Sequence, residues 1–263
     1  MKEKLLPVWD AASYAANRGH HEAHDEAFLA TLPLRPRDRI LDIACGSGEL
    51  TSAVAAMVPA GHVVGLDGSA SMIDAASRAA AANQSFVLGA AQQLRALVHG
   101  QHFDGIYSRA ALHWVPRSDW PGVLSAARDM LVDGGWLRIE CGGGDNVAAP
   151  QQFLDDISRS LGGPVAPWNF LPAGAALDLV EAAGFAVGRG DWVRTIAQRR
   201  SFDRESILGW LHSQCEQAYL IGLPPERHDA FRTEMTERID ELRRADGTYD
   251  VTFVRLDLLS RAP

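Results

Sequence analysis

The chain of 263 residues carries 25 Lys plus Arg against 33 Asp plus Glu, a formal charge of -8, and 47% of it is hydrophobic. That length suits one large α/β domain better than two, and the apolar content is that of an ordinary globular protein. Lysine occurs only at Lys2 and Lys4, so no basic face is available to neutralise phosphates and a nucleic-acid substrate is disfavoured.

Two short helices are expected over 7–17 and 20–32. Strand and helix then alternate, with strands at 39–43, 62–67, 85–88, 103–108 and 135–141 and helices at 48–58, 71–82 and 120–132. The strand candidates are continuous apolar runs, such as Ile40-Leu41 and Val63-Val64-Gly65-Leu66, which suit strands covered on both faces of a parallel sheet. Pro121 shortly after Asp119 marks a helix start. The last third reads as a helix at 175–183, a strand at 185–197, helices at 203–218 and 225–244, and a strand at 249–259. Phe231, Met235, Ile239 and Leu242 recur at helical spacing and are expected to be core. The two terminal strands are expected to form an antiparallel edge. The whole is a Rossmann-like, doubly wound α/β fold with a mostly parallel sheet of seven strands: an N-terminal helical lid at 1–34, a nucleoside-binding core at 35–145, and the remaining sheet edge with a helical cap at 146–263, in one domain.

Cys45, Cys141 and Cys215 form no CxxC pair, and neither a signal peptide nor an apolar run of membrane-spanning length is found. Free thiols and a cytoplasmic location are expected. His20 and His24 stand one helical turn apart, but without further ligands they make a weak case for a metal, and none is expected.

The segment Ile40-Leu41-Asp42-Ile43-Ala44-Cys45-Gly46-Ser47-Gly48-Glu49-Leu50 takes a buried strand through a glycine turn into a helix. Asp67 follows at the end of the next strand, about 20 residues on, where a carboxylate can accept both hydroxyls of a ribose. Capping of the next helix is the alternative use of that residue. A dinucleotide fingerprint wants a third glycine where Thr51 stands, so the pattern favours an adenosine over a nicotinamide dinucleotide.

Asp42 with Gly46-Ser47-Gly48 resembles the first motif of the class I S-adenosylmethionine-dependent methyltransferases. Leu66-Asp67-Gly68-Ser69-Ala70-Ser71-Met72-Ile73 resembles their second, and Leu131-Val132-Asp133-Gly134-Gly135 their turn before the fifth strand. The segment from Phe103 to Val115, with Ser108-Arg109 and Leu112-His113-Trp114, is similar to the branch that includes trans-aconitate and juvenile hormone acid methyltransferases, as are Pro167-Trp168-Asn169-Phe170-Leu171 and Phe253-Val254-Arg255-Leu256.

The resemblance implies S-adenosylmethionine as cofactor, with S-adenosylhomocysteine as product. It implies a cofactor-binding set of Tyr14, Arg18, Asp42, Ala44, Gly46, Gly48, Asp67, Gly68, Met72, Ala91, Gln92, Ser108 and Arg109. His113, Trp114, Trp168 and Phe170 are the acceptor-side candidates, with His113 as base or positioning group. Ala44 and Ala90 depart from the family, which has glycine and aspartate there. The implied function is methyl transfer to a small molecule, foremost to a carboxylic acid. N- or C-methylation and a non-methylating cofactor-binding protein remain the alternatives.

Overall fold

The computed structural model of the protein describes residues 22–263. The helix expected at 7–17, with Tyr14, Arg18, His20, His21 and the side chain of His24, lies outside the described residues. The strands are β1 (Arg39–Ile43), β2 (His62–Asp67), β3 (Gln84–Leu88), β4 (Phe103–Arg109), β5 (Leu131–Gly142), β6 (Trp192–Phe202) and β7 (Tyr249–Arg261). They form one sheet in the order β3-β2-β1-β4-β5-β7-β6. Strands β1 to β5 pair in parallel, and β7 runs antiparallel to β5. The helices are α1 (Glu22–Leu29), α2 (Glu49–Met57), α3 (Ala70–Arg78), α4 (Leu94–Leu97), α5 (Trp120–Met130), α6 (Ala148–Ser160), α7 (Ala173–Ala182), α8 (Arg204–Trp210), α9 (Gln217–Leu220) and α10 (His228–Arg238). This is the expected Rossmann-like arrangement.

The chain divides by its internal packing into two units. The first comprises residues 22–144, 169–196 and 255–263. Here alternation along each strand sends successive side chains to opposite faces. Leu41, Ile43, Ile106, Leu137 and Ile139 join Trp120, Leu124 and Ala127 of α5 and Val180 of α7 on one face. Ile40, Val63, Tyr107 and Trp136 join Phe28 of α1 and Val54 of α2 on the other. The indole of Trp136 lies across β4 so closely that a Cβ on Gly105 would stand 2.1 Å from it, so the pairing of β4 with β5 requires glycine at this point.

The second unit comprises Asp145–Trp168 and Ala197–Val254. Phe231, Met235 and Ile239 are fully buried and Leu242 is half-buried, so the helical stripe is core except at its last member, and α10 packs on α6. Tyr219 stacks on Phe231 with ring centroids 5.5 Å apart.

Several elements differ from expectation. Helix α6 was not anticipated, although Phe153, Leu154 and Ile157 are buried along one side of it. The strand expected from 185 begins at Trp192, because the turn through Gly188 and Gly190 intervenes and Asp191 Oδ2 accepts the Gly188 N–H at 3.0 Å. Before that turn only an isolated bridge, Ala186 to Arg261, remains. The helix expected over 203–218 loosens into a π-turn at Leu211–Cys215. The one expected over 225–244 begins and ends in tighter 3-10 turns. No helix among the described residues is long and apolar enough to cross a membrane.

Candidate active site

The turn after β1 places three residues in the left-handed region: Ala44 (φ 61°), Gly46 (φ 57°) and Gly48 (φ 86°). A Cβ on Gly48 would meet Ala76 at 3.0 Å and Phe86 at 3.1 Å, whereas one on Gly46 would meet nothing within 4 Å. Gly48 therefore seats the loop on its neighbours, and Gly46 leaves an open cradle for a ligand. Ala44 holds its left-handed angle against the steric cost of a Cβ, about 1–2 kcal/mol for an L-residue. Glycine there would relieve that strain but add about 0.5–1 kcal/mol of chain entropy cost. Ala44→Gly is therefore expected to raise the thermal midpoint modestly, by about 2 °C, measured by scanning calorimetry.

Asp67 ties this loop to the next one. Its Oδ2 accepts the Gly46 N–H at 3.0 Å and its Oδ1 accepts the Ser69 N–H at 2.8 Å. Burial raises the carboxyl above its ordinary pKa, and the two backbone donors oppose that rise. The helix-capping role falls instead to Ser69, whose hydroxyl accepts the Met72 N–H.

Asp42 is a Cα partner of Tyr107 across β1 and β4, so the two side chains emerge on the same face. Its Oδ2 accepts the Tyr107 hydroxyl at 2.7 Å and the Thr51 hydroxyl at 2.7 Å. Burial pushes the Asp42 carboxyl up to about 7, with Thr51 and Tyr107 pulling the other way. Thr51, which entered the sequence argument only as a missing glycine, thus anchors the motif aspartate.

The same alternation aligns a row of charges on that face at the carboxyl ends of β4 and β5 and on the antiparallel β7 beside them. Arg109 pairs across the sheet with Glu140, and Glu140 with Asp257. Arg109 Nη2 lies 3.0 Å from Asp25 Oδ1 of α1, and its Nε lies 3.4 Å from Glu140 Oε1. Arg138, only 2% exposed, reaches Asp257 Oδ1 at 2.7 Å. Its Nε donates to Thr31 Oγ1 at 3.1 Å and its Nη1 to the Ile139 carbonyl at 2.8 Å. The guanidinium also sits 4.6 Å above the Phe28 ring, an arrangement favourable to a cation. Burial lowers its pKa, while Asp257 and Glu140 raise it.

Beyond β4 the chain bends at Ala110 (φ 57°) into a short 3-10 turn, Leu112–Trp114. The His113 ring lies 5.6 Å from the rings of both Trp114 and Phe170. Its Nδ1 accepts the Gly142 N–H at 3.3 Å, and burial pushes its pKa down to about 4. Trp168, in the second unit, stands edge-on to Tyr219 at 6.1 Å.

Asp42, Ala44, Gly46 and Arg109 line one solvent-open pocket with Asp25, Cys45, Ser47, Glu49, Leu50 and Ala110. Of the other expected cofactor residues, Met72 and Ala91 are buried and Gly68 is exposed. The Gln92 amide donates to Asp119 at 3.2 Å. Ser108 is buried with a hydroxyl that has no hydrogen-bond partner among the described residues. An open cradle at Gly46, a carboxylate fixed by two backbone donors and a solvent-open pocket beside them fit an adenosine cofactor with an amino-acid tail. Asp25, Glu140 and Tyr107 were missed in the sequence. Their signal is positional: each lies one or two residues from a strand or helix feature already identified, but its partner is far away in the chain.

Residues 40–135 match the family described as Methyltransferase domain. A trans-aconitate 2-methyltransferase of Methylobacterium radiotolerans is 28% identical over 96% of this chain and 98% of its own length. One from Variovorax paradoxus is 27% identical over 96% and 98%. Among solved structures, the YcgJ protein of Bacillus subtilis superposes with a TM-score of 0.63 at 18% identity, covering 92% of this chain and 98% of its own. With the sheet order, the loop after β1 and the carboxylate after β2 in place, residues 40–135 are a methyltransferase domain, and over its length the chain resembles the class I S-adenosylmethionine-dependent methyltransferases.

Proposed function

We propose that the enzyme methylates a carboxylate oxygen of a small organic acid. When bound, S-adenosylmethionine supplies an electrophilic methyl carbon on a sulfonium that departs as a neutral thioether. The loop at Ala44–Gly48, with Asp42 and Asp67, is assigned to hold and orient it. The charge row under Arg109 fixes one wall of the pocket, and His113, Trp114 and Phe170 form an apolar surface with one polar ring on the acceptor side.

The state of His113 carries this reading. An imidazole with a pKa near 4 is neutral at physiological pH. With Nδ1 accepting from Gly142, its proton resides on Nε2. Such a ring donates a hydrogen bond and is a poor proton acceptor. A carboxylate arrives already ionised and needs no base, whereas a phenol, an amine or a carbon acid needs a proton removed. The two relatives named for trans-aconitate, itself a carboxylic acid, support the same class.

A panel of di- and tricarboxylic acids offered with methyl-labelled cofactor is expected to yield products that mild base hydrolyses. His113→Ala is expected to raise KM while leaving the shape of the kcat profile between about pH 6 and 9 as in the wild type, because a group titrating near 4 changes charge outside that range and an inflection near 7 belongs to Asp42. Base-stable products, together with a neutral inflection that vanishes in the variant, would instead assign N- or C-methylation with His113 as base.

A further inference from the structure

The phenol of Tyr107 is fully buried. Its ring is held by Phe28 of α1, 5.9 Å away between centroids, and by Trp136 of β5, and its hydroxyl donates to Asp42 Oδ2 at 2.7 Å. Thr51 of α2 donates to the same oxygen, so a proton taken up by the carboxyl goes to Oδ1, which neither hydroxyl reaches. Burial and the Asp42 charge hold the phenol well above its ordinary pKa, so it remains a donor throughout the range in which Asp42 titrates. The carboxyl itself is balanced near neutrality. Burial and Asp67 of β2 favour the proton, and the two hydroxyls, which bind the charged form better, oppose it. The other ionisable groups around the loop are Cys45, kept protonated by burial, and Asp25, Glu49 and Arg109, which line the same pocket as Asp42.

We infer that Tyr107, acting through Asp42, keeps this carboxyl ionised at neutral pH and so sets the pH below which the enzyme loses its hold on S-adenosylmethionine. The cofactor brings a sulfonium and an α-ammonium to a pocket that Asp42 lines, and an ionised carboxylate attracts them where a protonated one does not. Binding therefore expels the Asp42 proton, and affinity falls as the pH drops through the pKa of that group. Without the phenol hydroxyl the charged form loses one of its two donors, and the fall moves to higher pH. Tyr107 is a positioning residue in this scheme: its role rests on Asp42 belonging to the cofactor site, and the identity of the acceptor does not enter.

The test is titration calorimetry of the full chain with S-adenosylmethionine at about pH 7 and about pH 9, the ligand's own titration being common to every protein compared. Tyr107→Phe, which keeps the ring, is expected to move the affinity midpoint up by about one pH unit. It then binds about fivefold more weakly than the wild type at about pH 7 and within about twofold of it at about pH 9. Thr51→Val, which removes the other donor at nearly constant volume, is expected to shift the midpoint in the same direction. Asp42→Asn has no proton to lose and is expected to bind weakly at both pH values. A Tyr107→Phe loss of equal size at both pH values would make the hydroxyl a purely structural tie and overturn the inference, as would unchanged affinity at both. An Asp42→Asn variant with wild-type affinity at both would instead remove Asp42 from the cofactor site, and the role of Tyr107 with it.

Discussion

Asp257→Ala is expected to destabilise the protein by about 3–5 kcal/mol, the cost of leaving a buried ion pair with one partner missing. Asp257 and Arg138 are each only 2% exposed and lie 2.7 Å apart. Removing the carboxylate strands a guanidinium that Thr31, two carbonyls and the Phe28 ring solvate as neutral groups. Arg194 Nε, which donates to Asp257 Oδ2 at 2.8 Å, loses its partner as well, but it is 56% exposed and water replaces the contact. A drop in thermal midpoint of about 10 °C follows for a chain of this size. Replacing both members together, Asp257→Leu with Arg138→Met, should recover most of the loss, since an apolar pair of similar volume avoids the desolvation of two ions. Calorimetric melts of the single and paired variants check this. A single variant that melts within about 2 °C of the wild type would mean that Glu140, 3.9 Å from Arg138, suffices as counter-ion.

Asp67→Ala is expected to weaken S-adenosylmethionine binding by about tenfold to a hundredfold. Hydrogen bonds to a charged acceptor contribute about 1.5–3 kcal/mol, which is that range in affinity. The geometry places the effect towards the upper end, because Asp67 also holds the Gly46 and Ser69 N–H groups. Its removal therefore also loosens the loop that we assign to the rest of the ligand. Asp67→Asn separates the two contributions: its amide oxygen retains one backbone donor, while the negative charge is gone. Calorimetry returning wild-type affinity for Asp67→Ala would remove the residue from the ribose site.

The strand and helix order of the first unit was legible because each element there is encoded locally. Apolar runs give the buried strands, Gly46 and Gly48 mark the tight turn, and Pro121 after Asp119 marks a helix start. Residues 148–160 escaped because their apolar side is interrupted by Asp155, a carboxylate buried to accept the Tyr219 hydroxyl at 2.9 Å and the Ala166 N–H at 2.9 Å. A buried polar residue breaks the hydrophobic period on which a helix assignment depends. The strand expected from residue 185 was placed too early for the converse reason: Phe185-Ala186-Val187 has strand composition, but the glycines after it reverse the chain.

At the site, residues contributed by one continuous motif were readable, and residues defined by their partners were not. Tyr107 and Asp42 meet only because β1 and β4 are neighbours in register, although the two strands are separated in the chain by β2 and β3. The Asp25–Arg109–Glu140 group similarly joins a helix before the sheet to strands in its middle. Sequence spacing carries the glycine loop, whereas sheet register carries the electrostatics.

The position of β7 also bears on how the protein is made. This strand is the last of the seven in chain order, yet it lies between β5 and β6. During synthesis β6 therefore emerges before the strand it joins and has no edge of its own to add to. Until 249–261 follows, β5 presents an unpaired edge, the kind of surface that recruits other nascent chains. Closing the sheet also requires contacts between residues far apart in sequence, which form slowly. Arg138 sits on that waiting edge and meets its buried counter-ion, Asp257, only when β7 arrives. The ion pair that stabilises the finished enzyme is thus absent from every chain still lacking its final strand, and the order of synthesis makes the ribosome-bound intermediate the form most exposed to misassembly.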